Sequence, residues 1–159
     1  MRQTIGINLH GVLDTYPHIL KPFMKIITNL DIANINIVSG PPTHTIIKEL
    51  NDLGYYTDVH FNNVFSVVDF LIHEKEKMWK DDNDLWWSDD NIWWNAKARI
   101  CEENGIDCLI DNDEKYSNGF KLINKTFINI DSFIKDDKTI NELVLGDIIN
   151  EYILSHIRF

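Results

Sequence analysis

The opening stretch of the chain constrains its fold more than any other. Ile5 and Ile7 alternate with smaller or polar neighbours, which predicts a buried strand, and the polar residues Asn8 and His10 follow directly. Open α/β sheets bind their ligands at the carboxyl ends of such strands. Residues two apart on a strand share a face, so Asn8 and His10 are predicted to point into one crevice, with Gly11 permitting a close turn.

Alternating helical and strand patterns continue along the chain. A helix is predicted over residues 17–29, a strand over 35–38 and a helix over 43–54. This alternation predicts an α/β fold with a Rossmann-like parallel sheet between two layers of helices, as a single domain over residues 1–159 without a large cap. The other predicted elements are β-like segments at 55–61 and 64–68, helices at 67–77 and 94–104, strands at 106–110 and 126–130, and a C-terminal helix at 140–153.

Composition narrows the class of protein. The 159 residues are 44% hydrophobic and 25% charged, which is typical of a globular protein, and the net charge of −10 argues against a nucleic-acid duplex as partner. Cys101 and Cys108 have no second pair, so buried reduced thiols are expected. Without a signal segment or an apolar run near twenty residues, we expect no membrane partner and a cytoplasmic location. The oligomeric state is left open.

Residues 78–94 form an unusual insert in which all the tryptophans of the chain lie among aspartates. The segment has no sustained helical or strand periodicity, so it is predicted to be a long loop or small cap that acts as a lid or binding loop. The alternative is that the indoles fill a hydrophobic gap beside the sheet. The tryptophans are Trp79, Trp86, Trp87, Trp93 and Trp94.

Three further positions are candidates for chemistry. Ser39 and Gly40 follow the second predicted strand, and the alternative to a functional role is a helix-capping or turn serine before the prolines. Asp111 ends another strand and could bind a metal; the alternative is an Asx turn with Asn112 and Asp113. Lys97 lies on the intervening predicted helix, where most lysines are simply solvated.

Together these residues resemble the haloacid dehalogenase-like (HAD) superfamily of phosphatases and phosphotransferases. The resemblance covers most of the chain in the right order: a strand ending in Asn8-Leu9-His10-Gly11-Val12, then Ser39-Gly40, Lys97 and Asp111. A subgroup of that family has His at the position of His10. The resemblance implies a phosphate site at Ser39, Gly40 and Lys97. It also implies a Mg²⁺ site formed by residue 8, the backbone carbonyl of His10 and Asp111, with support from Asp14, Asn112 and Asp113.

One departure from the family pattern decides the expected mechanism. Asn8 stands where the family has its nucleophilic Asp, and His10 occupies the position of the acid/base residue. An amide is a poor nucleophile, so ligand binding is expected to survive while turnover fails. Either the natural protein has lost phosphatase chemistry, or Asn replaces a natural Asp in this chain; the sequence supports both explanations equally.

The expected function is therefore binding of a phosphorylated small molecule, and sequestration of that molecule is one concrete form of this hypothesis. A nucleotide-like ligand is favoured because its base could stack on Trp86 and Trp87. The first alternative is an active Mg²⁺-dependent phosphohydrolase, either with Asp restored at position 8 or with His10 and a metal-bound water acting without a covalent step. The second is a protein-interaction module in which the acidic, aromatic insert binds a basic partner.

Overall fold

A computed structural model describes residues 2–133 of the protein. Its centre is a five-stranded parallel sheet in the order β3-β2-β1-β6-β7, flanked by helices and compatible with a three-layer Rossmann-like fold. The α/β prediction is confirmed at this level. The elements in chain order are β1 (Thr4–Ile7), α1 (Pro17–Asn29), β2 (Asn34–Ser39), α2 (Thr43–Asp52), β3 (Asn63–Ser66), α3 (Val67–His73), β4 (Met78–Lys80), β5 (Trp86–Ser88), α4 (Asp90–Glu103), β6 (Cys108–Asp111), α5 (Ser117–Phe120) and β7 (Thr126–Asn129).

Alternation along the strands produces the two layers of core around the sheet. Ile5 and Ile7 of β1 pack with Ile35 and Ile37 of β2 against α1 and α2. Val38 of β2 and Leu109 of β6 point to the opposite face and belong to a second cluster with α3, α4 and α5. A strand places successive side chains on opposite faces, so a sheet buried on both sides reads as a nearly continuous apolar run.

Successive strands are added first on one side of β1 and then on its other side. This topological switch point, between β1 and β6, is where a ligand site can form. The chain builds outward from β1 through β2 to β3, then returns to add β6 on the other side of β1. The backbone continues this pairing past the strand ends, because Asn8 N donates to Ile110 O at 2.9 Å. The carboxyl ends of β1 and β6 thus border the crevice in which open α/β sheets bind ligands.

Two predicted segments differ from the structure between α2 and α4. Residues 55–61 form turns, with a single bridge between Thr57 and Phe61, rather than a strand. The buried Tyr55 and Phe61 produce the misleading apolar pattern because they anchor these turns in the core. Strand β3 ends at Ser66, whose side-chain oxygen accepts from Asp69 N and caps α3, so the helix begins at Val67 and ends at His73.

The tryptophan-rich insert is a β-hairpin followed by the first turn of a helix, rather than a segment without regular structure. Strands β4 and β5 pair antiparallel, and Asp81 turns the chain by accepting from Asn83 N and Leu85 N. Asp84 takes a positive φ of 62° in this turn. Helix α4 already begins at Asp90, so Trp93 and Trp94 belong to it. The acidic residues of the insert hide the strand pattern because several of them form the turn.

Other expectations have mixed outcomes. Cys101 and Cys108 are buried and free, as predicted, and burial raises the pKa of each thiol to about 12. No helix within residues 2–133 is both long and apolar enough to cross a membrane. The predicted C-terminal helix at 140–153 lies outside the described residues.

Candidate functional site

A buried polar cluster lies where β1 and β6 end, and Lys97 of α4 is at its centre. Lys97 Nζ donates to Asp111 Oδ2 at 2.6 Å and to Asn8 Oδ1 at 3.1 Å. The side chains of Lys97 and Asp111 are only 2% and 0% exposed. The sequence predicted that these three residues, from three separate segments, would meet, and the structure brings them into direct contact.

Lys97 points inward because the face of α4 that carries it is buried. Trp93, one turn earlier on the same face, is buried, as are Ala96 and Ile100. The ammonium group lies 4.1 Å from the centroid of the Tyr116 ring, which supplies a cation–π contact. Burial, and then the negative charge of Asp111, raise the pKa of Tyr116, so this phenol stays neutral beneath the lysine.

The other side of the cluster consists of amide groups and oxygen acceptors. Asn8 Nδ2 donates to His10 O at 2.7 Å and to Asp111 Oδ1 at 3.2 Å. One atom of the Asn112 amide lies 2.8 Å from His10 O and 3.2 Å from Asp111 Oδ1. If this atom were the amide oxygen, it could accept from Asn8 Nδ2 at 3.2 Å. It would, however, lie against two other acceptors, His10 O and Asp111 Oδ1. We therefore assign the nitrogen to this position, where it donates to both.

The turn after β1 sets this geometry. Gly11 has a φ of 81°, and a Cβ atom at this position would lie 2.1 Å from the side-chain amide of Asn112. Only glycine allows such an approach. Asp14 Oδ1 accepts from Gly11 N at 2.7 Å, so Asp14 orders the turn and has no contact in the cluster among the hydrogen bonds described. The turn directs the carbonyl of His10 toward Asn8.

The side chains of Asn8 and His10 do not share one crevice, contrary to the prediction. Strand β1 ends at Ile7, and the chain then turns, so strand alternation no longer applies. The Asn8 side chain enters the buried cluster, whereas the His10 side chain is 49% exposed and its Nε2 lies 2.5 Å from Glu49 Oε2 of α2. His10 therefore contributes its carbonyl oxygen to the cluster and its ring to a different surface.

Ser39 and Gly40 lie at the carboxyl end of β2, beside β1. Ser39 is fully buried, and its Oγ has no hydrogen-bond partner among the described residues. A buried hydroxyl left without a partner costs about 1–3 kcal/mol, so this position gains from a ligand that accepts or donates a hydrogen bond. Gly40 packs close to Trp93, since a Cβ at Gly40 would lie 3.6 Å from its ring.

Asp111 and Asp113 differ in their roles. Asp111 Oδ1 accepts from the backbone N of Asn112 at 2.7 Å and of Asp113 at 3.1 Å, so its carboxylate is oriented by its own turn. Asp113 Oδ1 instead accepts from Lys115 N at 3.1 Å and caps the following helical turn. Both aspartates therefore form Asx turns, and Asp111 in addition forms the ion pair with Lys97 within the cluster.

A cleft of about 480 Å³ lies beside this cluster, and His10 connects the two. Clefts of this size can enclose much of a small organic ligand. One wall is the β4–β5 hairpin with Trp86 and Trp87, and another is the loop after β2 with the start of α2. Trp87 packs on Trp93 with ring centroids 5.5 Å apart. The remaining lining residues are Gly40, Pro41, Pro42, His44, Thr45, Glu49, Val68, Lys80, Asp84, Leu85 and Trp93 itself.

Three residues of the polar cluster and the adjacent cleft were not among the predicted site residues: Glu49, Trp93 and Tyr116. Trp93 could have been found, because it is four residues before Lys97 and must share its helix face. No local signal identifies Glu49 or Tyr116, since their importance depends on how α2 and the segment after β6 pack. Each supplies a different contact: a carboxylate for His10, an aromatic wall for the cleft and a ring beneath Lys97.

The oxygen atoms of the cluster could hold a cation only if a ligand supplied further oxygen atoms. Within residues 2–133, no group of three or more His, Cys, Asp or Glu side chains is arranged to bind a metal. His10 O and Asp111 Oδ1 converge, and the amides of Asn8 and Asn112 can present oxygen if they rotate. Asp111 is then the one carboxylate, and Mg²⁺ sites with so few charges rely on phosphate oxygens from a ligand.

Comparisons with known proteins add no family assignment. No family model matches the sequence, and a search of curated proteins found no match. The fold and the site themselves define an α/β protein with a parallel sheet, whose topological switch point carries a buried Asn–Lys–Asp cluster beside an aromatic cleft.

Proposed function

We propose that this chain is a HAD-like protein that binds a phosphorylated small molecule and has lost the nucleophile of the family. The contact of buried Lys97 with both Asn8 and Asp111 carries this proposal. The three residues stand at the positions of three separate motifs that the resemblance identifies. Their meeting at the switch point of a parallel sheet supports a shared site, since such sheets bind ligands there.

Several groups suit a phosphate at this edge of the sheet. Lys97 supplies a positive charge, and Ser39 Oγ supplies a hydroxyl that lacks a partner among the described residues. The backbone N–H of Gly40 lies at the same strand end, and the two prolines that follow have no N–H. A phosphate bound there gains charge-assisted hydrogen bonds, which are stronger than those between neutral groups.

Mg²⁺ is part of this proposal as the cofactor that the HAD resemblance implies. His10 O, Asp111 and the amide oxygens of Asn8 and Asn112 would hold it together with the ligand phosphate. The ion would neutralise phosphate charge and polarise the phosphoryl group. The chain's own residues orient the ligand, because Lys97 is fixed by Asp111 and Asn8 before any ligand arrives.

The adjacent cleft supports a nucleotide-like ligand. His10 has its carbonyl in the polar cluster and its ring in the cleft, so a ligand with its phosphate at one site can place its body in the other. Trp86 and Trp87 offer flat surfaces on which a base can stack, a contact worth about 1–3 kcal/mol.

Asn8 limits the chemistry of such a site. Attack on phosphorus by a carboxylate forms the aspartyl-phosphate in this family, and a neutral amide cannot replace it efficiently. A protein that binds without turnover sequesters its ligand, which is the form of the function that we favour. A cytoplasmic location belongs to the same proposal, because the free thiols of Cys101 and Cys108 suit a reducing compartment.

Calorimetric titration tests the proposal with nucleoside monophosphates and the matching nucleosides, in Mg²⁺ buffer. We expect the monophosphate to bind at least about tenfold more tightly than its nucleoside, as one or two charge-assisted hydrogen bonds predict. Ser39→Ala should weaken only the monophosphate. Equal affinities for the two compounds, or equal loss of both in Ser39→Ala, would contradict a phosphate site at this edge.

One observation favours the alternative of an active phosphohydrolase. The His10 ring lies in the cleft, and its Nε2 is 2.5 Å from Glu49 Oε2, a contact that orients the ring as a general base requires. In this case water, rather than residue 8, attacks the phosphoryl group. Robust phosphate release by the native chain that is lost in His10→Gln would support this alternative over sequestration.

A further inference from the structure

We infer that the amide group of Asn8 takes the place of a cation in the polar cluster, so that the site is complete without Mg²⁺ and accepts the ion only together with an anionic ligand. The second half of this inference, the coupling to a ligand, depends on the proposed phosphate site. The first half does not, because it follows from the contacts of Asn8 alone.

The hydrogen bonds of Asn8 show what its amide does. Its Nδ2 group faces the two oxygens that a bound cation would need, His10 O at 2.7 Å and Asp111 Oδ1 at 3.2 Å. Its Oδ1 accepts from Lys97. An amide presents partial positive charge at its nitrogen and partial negative charge at its oxygen. Asn8 therefore satisfies the oxygens on one side and the ammonium on the other.

The charges of the cluster balance without a metal. Lys97 carries one positive charge and Asp111 one negative charge, and they form an ion pair at 2.6 Å. Asn8 and Asn112 are neutral. The buried carboxylate already has its counter-ion, so a divalent cation alone would leave the cluster with excess positive charge beside the lysine. A phosphate that enters with the ion supplies the missing negative charge.

Asp at position 8 would reverse this balance. The cluster would then hold two carboxylates against one lysine, and of the two amides that donate to His10 O and Asp111 Oδ1 only that of Asn112 would remain. Like charges placed close together in a buried site are unfavourable unless a cation separates them. Asn8→Asp should therefore create a site that needs Mg²⁺ for stability, whereas the native chain should not need it.

Thermal unfolding in EDTA and in MgCl₂ tests this inference on the full chain. The native protein should shift by less than about 1 °C between the two conditions. Asn8→Asp should melt lower in EDTA and rise by roughly 5–10 °C when Mg²⁺ is at about 100 times its Kd. The matched control is Asn36→Asp, which adds a carboxylate at another buried asparagine, one whose Oδ1 accepts from Asn63. It should be destabilised in both conditions, without rescue by Mg²⁺.

The outcomes separate the two halves of the inference. An equal Mg²⁺ shift in the native chain and in Asn8→Asp, or no Mg²⁺ shift in Asn8→Asp, overturns the role of Asn8 as a cation substitute. If Asn8→Asp does not fold in either condition, Asn112→Asp adds the same charge to the cluster and decides the question by the same measurement. A variant that folds only with Mg²⁺ supports the inference.

Inorganic phosphate tests the coupling to an anion. Phosphate and Mg²⁺ together should stabilise the native chain by more than the sum of their separate shifts. If phosphate has no effect with or without Mg²⁺, the proposed phosphate site fails while the Asn8→Asp result still stands. If Mg²⁺ and phosphate act independently, the coupling is wrong even though each binds.

Discussion

Lys97 Nζ lies 2.6 Å from Asp111 Oδ2, and both side chains are shielded from solvent at the end of the central strands. Buried ion pairs add little net stability, because removing the charges from water costs about as much as their attraction returns. In other proteins, well-packed apolar residues of similar volume often replace such a pair without loss of stability. We therefore regard the retention of both charges as a sign of a functional site, consistent with the phosphate binding proposed above.

Removing one partner of this pair should destabilise the fold severely. Lys97→Met leaves the Asp111 carboxylate buried without a counter-charge and should lower the free energy of unfolding by about 3–5 kcal/mol. Urea denaturation measures the change. The control is the double variant Lys97→Met with Asp111→Asn, which should lose clearly less than the sum of the single changes. Additive losses would show that the two charges are not coupled.

The hairpin offers a matched pair of tryptophans for testing the cleft. Trp87 lines the cleft and contacts Trp93, whereas Trp79, on the neighbouring strand, does not line it and is 40% exposed. Trp87→Ala should weaken binding of a nucleoside monophosphate by about 5- to 150-fold, the range for loss of one stacking contact. Trp79→Ala should bind normally by titration calorimetry. Similar affinities for both variants would exclude the base from this cleft.

His60 should make the fold sensitive to mild acid. Its Nδ1 accepts from Tyr56 N at 3.0 Å, and burial, followed by the positive charges of Lys21 and Lys25, lowers the pKa of the ring below 6.5. Between the lowered folded pKa and the ordinary unfolded value, the unfolded chain binds the proton and the folded chain does not. Stability must therefore fall as the pH drops through this window, by up to about 1.4 kcal/mol per pH unit.

Unfolding free energies at pH 7.5 and pH 5 check the role of His60. The native chain should lose more stability over this interval than His60→Gln, because glutamine binds no proton. Other titrating groups contribute equally to both proteins and cancel in the comparison. Parallel pH profiles for the two proteins would show that His60 has the same pKa in the folded and unfolded chains.

The sequence was most informative where regular structure fixed the outcome. Asn8 directly follows one parallel strand and Asp111 ends the neighbouring one, and because such ends lie at one edge of a sheet, their proximity could be predicted. The direction of the His10 side chain could not, because it depends on where β1 ends and on the turn at Gly11. The partner of His10, Glu49, lies on α2, and its contact depends on helix packing that no local pattern encodes.

The hairpin shows a second limit of sequence patterns. Its strands are short, and Asp81 and Asp84 form the turn while also giving the segment its acidic character. The acidic residues therefore interrupt the apolar alternation by which a strand is recognised. Packing of the tryptophan side chains then stabilises the hairpin. The turn chemistry was recognisable, since Asp and Asn readily form such turns, but the pairing of two three-residue strands depends on the surface beneath them.

Phosphate release from a panel of nucleoside monophosphates, in the presence of Mg²⁺, tests the central claim most directly when the native chain is compared with Asn8→Asp. The lost-nucleophile account predicts binding with negligible release by the native chain, and release that appears when the carboxylate is restored. Robust release by both proteins would contradict it, because turnover would then not depend on the residue at position 8.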